Sequence, residues 1–308
     1  MRFAVESWDP AYGVSADEAA LEPAATPVDA AVEVPLDRWG PVTPDPDLEA
    51  VSICFVDGVR RIDTRVWIDE DDLVHPGICA TVAAGVVHCE TGRAAVGAVL
   101  VERGLYTAAG GAESIEAGLA GRYELQKTRG DDDAHLYLGV HDHMTELERA
   151  VSDELSGEQL VVFDGPLRGR DAATGVGFIK TQHRQYLEST QQRVVSRLAD
   201  GQRTPLFSIA SGDRFGRWSW YLRLPGPRSH PMSGIVRLEL PEMGDAESAA
   251  ARADVVSAAL PRFASEAHKD ARAPQNLYPI AGLERQLRRR LGDPHLLERE
   301  LRVAASRR

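Results

Sequence analysis

The sequence predicts an α/β protein built on one mixed sheet. Two short runs, VSICFV at 51–56 and LVVF at 160–163, are apolar almost throughout. A stretch with helical apolar spacing, 141–155, precedes the second run. Fully apolar strands joined through a helix mark parallel neighbours in a covered sheet, because only there are both faces buried. Between the two runs the chain alternates polar and apolar residues, as an antiparallel meander does.

The elements follow in order. Residues 1–48 hold much of the proline and acid and little aliphatic periodicity, and are expected to form an extended, partly ordered leader, with the folded domain at 49–308. VSICFV ends at Asp57-Gly58, and RIDTRVWI then alternates, which predicts a hairpin turning at that dipeptide. Third and fourth strands are expected at 78–87 and 94–101, and 103–135 is an unassigned insertion. In the helix at 141–155, Met144, Leu147, Val151 and Leu155 form the core-facing stripe. The strand LVVFD is expected to run parallel to an earlier one. Beyond it come a strand at 176–180, a helix near 184–199, strands near 217–224 and 234–240, and helices near 246–269 and 281–291. No repeat of fixed period is visible.

Composition narrows the function classes. With 43% hydrophobic and 27% charged residues, the 308-residue chain is neither fibrous nor disordered throughout. A net charge of -12 argues against coating duplex DNA or acidic membranes by bulk charge, and leaves room for a local basic groove. Three scattered cysteines, Cys54, Cys79 and Cys89, form neither a disulfide framework nor a zinc motif. With no apolar run of membrane-spanning length, a soluble cytoplasmic protein with reduced thiols is expected.

The acids are the informative residues. FVDG at 55–58 and VFDG at 162–165 end two strands alike. Asp-Gly is a preferred turn dipeptide, which is the plain reading of either one. If the strands are parallel neighbours, however, both carboxylates project from one sheet edge into one crevice, where they repel unless a cation lies between them. Glu148 falls within the apolar helix stripe, whereas Glu146 and Glu154 lie at its edges or outside. A buried carboxylate needs a cation or an arginine, unless the helix end shifts and leaves Glu148 at the rim. Asp57, Glu148 and Asp164 together would make an all-oxygen site suited to Mg²⁺ or Mn²⁺. Two such ions about 4 Å apart stabilise the attacking water and the leaving oxygen of a phosphodiester displacement.

Lys180 ends an apolar strand and either reaches solvent or holds a phosphate. Trp218, Trp220 and Tyr221 interleave with Arg217, Arg223 and Arg237, a pattern that suits either base stacking or a sheet core. Arg285, Arg288, Arg289 and Arg290 make a basic helix face, solvated or phosphate-contacting.

The order of these motifs resembles the NurA nuclease family, which has an RNase H-like fold. The resemblance covers about residues 50–291. It rests on the two Asp-Gly strands, the helix bearing Glu148, VGFIK at 176–180, RWSWYLRLPG at 217–226, IVRLELP at 235–241 and NLYPIAGL at 276–283. It implies a manganese-dependent (or magnesium-dependent) deoxyribonuclease, a 5′-to-3′ exonuclease and single-strand endonuclease. It further implies a homodimer working with a HerA-type hexameric ATPase in DNA end resection. Carried over by residue, the metal ligands would be Asp57, Glu148 and Asp164. Lys180 would match the family's lysine and Tyr278 its C-terminal tyrosine. The sequence departs from the family in Val59 and Pro166, where serine is usual, and in lacking the histidine beyond the tyrosine, near Gln286. A non-catalytic subunit that binds an ATPase, or an actin-like nucleotide phosphotransferase, are the alternatives.

Overall fold

In a computed structural model, residues 27–44, 52–70, 72–155, 160–167, 175–181, 184–210 and 216–307 are described. The architecture is mixed α/β, the class the sequence predicts, and it divides into two compact units. One comprises Met1–Phe55, His88–Ala95 and Ser156–Ala281, and the other Val56–Val87, Val96–Leu155 and Gly282–Arg308.

The first unit carries strands β1 (Val28–Asp29), β7 (Leu160–Asp164), β8 (Gly175–Ile179), β9 (Phe207–Ile209), β10 (Arg217–Arg223) and β11 (Ile235–Pro241), with the first residues of β2 (Ile53–Glu70). Their order is β1-β9-β10-β11-β8-β7, ending beside β2. Strands β9, β10, β11 and β8 pair antiparallel in that order, whereas β7 and β8 are parallel. The apolar run LVVFD thus has a parallel partner in the later strand β8 and lies next to the earlier strand β2 on its other side. Helices α2 (Ser189–Arg197) and α3 (Ala246–Ala259) belong to this unit.

Part of the expected leader is built into the sheet. Val28 and Asp29 pair with Ile209 and Ser208. Trp39 is buried with Leu187, Val195, Phe207 and Tyr221. Glu33 takes both Nη atoms of Arg203 at 2.9 Å, while Arg203 Nε donates to Asp254 at 2.6 Å. Arg203 is 1% exposed, so this pair of carboxylates neutralises an interior cation.

The second unit has the order β2-β3-β4-β6-β5, with β3 at Leu73–Glu90, β4 at Arg93–Thr107, β5 at Ile115–Glu116 and β6 at Arg122–Lys127. The expected hairpin at Asp57-Gly58 is not there: β2 runs straight through the dipeptide to Glu70. Turn preference is a local tendency, and pairing along 18 residues overrides it. The unassigned 103–135 holds the end of β4 and all of β5 and β6, with β6 parallel to β4. Its three aspartates open helix α1 (Asp133–Ser152), where Asp132 Oδ1 accepts from His135 N–H at 2.9 Å.

Helix α4 (Tyr278–Arg290) is followed by α5 (Pro294–Ser306), which the sequence reading did not include. Leu297 and Leu301 of α5 pack with Cys79, Leu105 and Tyr123. Arg61 donates to the Leu291 and Gly292 carbonyls, satisfying the end of α4. Among the described residues no helix is long and apolar enough to cross a membrane.

Candidate active site

In the second unit, α1 buries Leu136, Val140, His143, Leu147, Glu148 and Val151. Glu148 is 2% exposed and Glu146 lies in solvent, so the stripe identifies the buried acid. His143 ties the helix to β4, with Nδ1 2.6 Å from the Tyr106 hydroxyl and Nε2 2.9 Å from Glu102. The helix face lies against Gly58. A Cβ there would stand 2.6 Å from Glu148 Oε1 and 2.7 Å from Met144 Cγ. Gly58 has no positive φ, so glycine is required for close approach and not for a turn. The buried Asp57 carboxylate folds back on the same residue, Oδ1 accepting from Gly58 N–H at 2.9 Å. Two acids therefore reach one glycine.

In the first unit, Asp164 ends β7 and Gly165 turns the chain with φ 115°. This second Asp-Gly is the bend the sequence predicts, closed by Gly165 N–H donating to the Phe178 carbonyl at 2.9 Å. Gly177 leaves room for it, since a Cβ there would lie 3.0 Å from the Gly165 oxygen. Lys180 follows β8 directly. Its side chain is 6% exposed and does not extend to solvent. Nζ donates to Asp164 Oδ2 at 2.7 Å and to Asn276 Oδ1 at 2.9 Å. Because β7 and β8 are parallel, Asp164 and Lys180 stand at the carboxyl ends of both strands, the edge where open α/β sheets bind ligands.

Sequence reasoning missed Asn276. It is fully buried and its Nδ2 donates to Asp270 Oδ2 at 2.7 Å. Its one signal was its place at the head of NLYPIAGL. Tyr278 begins α4 half-buried, with Lys269 Nζ 5.1 Å from its ring centroid.

Of the two readings open for the strands that interleave aromatics with arginines, the sheet core is the one found. Trp218, Trp220, Tyr221, Arg223 and Arg237 are all buried. Arg237 and Arg217 both pair with Glu239, and Trp220 Nε1 donates to Ser257 at 2.9 Å. Burial raises the Glu239 carboxyl, but the two arginines outweigh it and hold the group below its ordinary range. Arg285, Arg288, Arg289 and Arg290 remain exposed on α4, with Arg288 paired to Glu284 at 2.8 Å.

Among the described residues no group of three or more His, Cys, Asp or Glu side chains is arranged to hold a metal ion. Asp57 and Glu148, which meet at Gly58 in the second unit, offer oxygen donors of the kind a hard divalent cation takes. Gly58 gives Glu148 Oε1 a place that a side chain would fill.

No family model matches the sequence, and no curated protein does. Among solved structures, the NurA nuclease from Sulfolobus solfataricus is similar with TM-score 0.50 and 11% identity, over 87% of this chain and 86% of that one. The catalytic domain of human endonuclease V follows at TM-score 0.37 and 14% identity, over 80% and 87%. Endonuclease V of Ciona intestinalis, solved with DNA, gives TM-score 0.33 and 12% identity, over 81% and 91%. The two endonuclease V matches are too distant to argue from. The NurA match spans nearly the whole of both chains, and the protein shares the fold of that nuclease, the family its motif order resembles.

Proposed function

We propose that the protein is a metal-dependent DNA nuclease. The observation that supports it best is the acid and cation fixed side by side at the carboxyl ends of parallel strands, Asp164 and Lys180, in a chain with the NurA fold. Two of the three ammonium N–H groups engage Asp164 and Asn276. In this reading the third donates to a non-bridging oxygen of the scissile phosphate, where it offsets developing negative charge. Asp57 and Glu148, the two acids that meet at Gly58, would hold Mn²⁺ or Mg²⁺, and Asp164 is the third ligand that the family resemblance implies. When bound, the ion supplies Lewis-acid stabilisation of the phosphodiester displacement. Tyr278, half-buried at the head of α4, orients the substrate strand.

The finer reading follows the family resemblance: 5′-to-3′ exonuclease and single-strand endonuclease action, a homodimer, and a HerA-type ATPase partner in end resection. The test is cleavage of end-labelled single-stranded DNA with Mn²⁺, with and without EDTA. Metal-dependent cutting is expected for the wild type, and none for Asp57→Ala or Asp164→Ala proteins that retain wild-type circular dichroism. Undiminished cutting by either variant refutes the assignment.

A further inference from the structure

Resting on that nuclease reading, we propose that Asn276, oriented by Asp270, is a positioning residue that holds the Lys180 ammonium on Asp164.

A lysine side chain has a flexible four-carbon stem and a point charge with no preferred direction, so an aligned ammonium needs acceptors on more than one side. Asp164 supplies one. The other is the Asn276 amide oxygen, and its orientation is fixed from behind. An ionised carboxylate can only accept, so Asp270 Oδ2 at 2.7 Å requires the NH₂ end of Asn276 to face it. That leaves the oxygen toward Lys180 at 2.9 Å. With the amide flipped, an NH₂ group would oppose an ammonium, and two donors would meet without an acceptor.

Asp270 is itself held. Its Oδ1 accepts from Arg272 N–H at 2.8 Å, and the Arg272 guanidinium stands 3.6 Å away. The backbone closes the arrangement, with Asn276 N–H donating to the Arg272 carbonyl at 3.1 Å. The neighbouring Gln275 secures the base of the lysine, Nε2 donating to the Lys180 carbonyl at 3.4 Å and to the Ile235 carbonyl at 3.2 Å. The short segment 270–276 thus grips both ends of Lys180. Every group in this chain of bonds is in the first unit.

The test uses the full-length protein with three variants. Asn276→Leu removes both bonds at similar volume. Asn276→Asp keeps an acceptor for Lys180 but sets one carboxylate against another. The double variant Asp270→Asn/Asn276→Asp reverses the donor and acceptor while keeping the charge, and the amide oxygen it places at position 270 can still accept from Arg272 N–H. Each single variant at Asn276 is expected to lower kcat about tenfold or more, the scale on which groups that orient a ligand or catalytic side chain act, with KM little changed. The double variant is expected to recover most of it.

A second readout does not depend on cleavage. The rate at which an amine-acylating reagent labels Lys180, read by peptide mass spectrometry, should rise in Asn276→Leu and return toward wild type in the double variant. A wild type that cuts no DNA but shows this labelling pattern sinks the nuclease reading and leaves the positioning role standing. Unchanged labelling in Asn276→Leu overturns the role, as does failure of the charge-reversed pair to recover either readout.

Discussion

Gly58→Ala isolates the close approach between strand β2 and the helix carrying Glu148. Alanine adopts the backbone angles of Gly58 without strain, so in open space the change would stabilise the protein by about 0.4–1 kcal/mol through the unfolded chain. Here the new methyl meets Glu148 Oε1 at 2.6 Å and Met144 Cγ at 2.7 Å, against an ordinary contact of 3.4 Å or more. Both neighbours must retreat by most of an ångström inside a packed face. Overfilling of that kind costs about 1–3 kcal/mol, so the sign of the effect reverses. Calorimetry should show Tm lowered by a few degrees, and Mn²⁺-dependent cutting should fall with displacement of the Glu148 carboxylate. Met144→Ala removes one of the two obstacles, so Gly58→Ala should cost less on that background than on the wild type. A Gly58→Ala protein as stable as the parent, or more so, would refute the close approach and with it the reason given for glycine at this position.

Two further outcomes are expected. Arg203→Ala leaves Glu33 and Asp254 without their buried counter-charge and should lower unfolding free energy in urea by about 3–5 kcal/mol; a loss under about 1 kcal/mol would show the tie to be ornamental. Glu239 is held below its ordinary carboxyl value in the fold, so its contribution is present above about 4.5, the unfolded value, and is lost as pH falls through the lower folded value. Glu239→Gln should therefore be less stable at neutral pH yet show a shallower decline in urea midpoint from about pH 5 to about pH 3, and an unaltered slope would contradict the pairing with Arg237 and Arg217.

What could be read from the residues alone depended on how local the physics was. Helical spacing is a property of the chain itself, so the stripe on α1 singled out Glu148 over Glu146 before any tertiary contact was known. The two Asp-Gly dipeptides looked identical and are not. Gly165 bends the backbone at φ 115°, whereas Gly58 lies inside an 18-residue strand and yields its side-chain space to a helix distant in sequence. Only the partner, absent from the local window, tells them apart. The Trp218–Tyr221 stretch was ambiguous for a related reason. Aromatics alternating with arginines read alike on a binding surface and in a core, and it is Glu239 on the neighbouring strand that makes interior arginines tolerable. Asn276 carried no chemistry of its own to flag it, because its role exists only between Lys180 and Asp270.

The two-residue strand Val28–Asp29 occupies the outermost place in its sheet order, covering Phe207–Ile209. A long bare margin there would offer unpaired amide and carbonyl groups to any passing chain, the template on which proteins aggregate. A very short, acid-bearing, proline-flanked border strand is a poor template. Shortening the protein to begin at its first long strand would bare Phe207–Ile209 and take Glu33 from the Arg203 guanidinium, leaving Asp254 as its remaining carboxylate, and the shortened protein is expected to aggregate more readily.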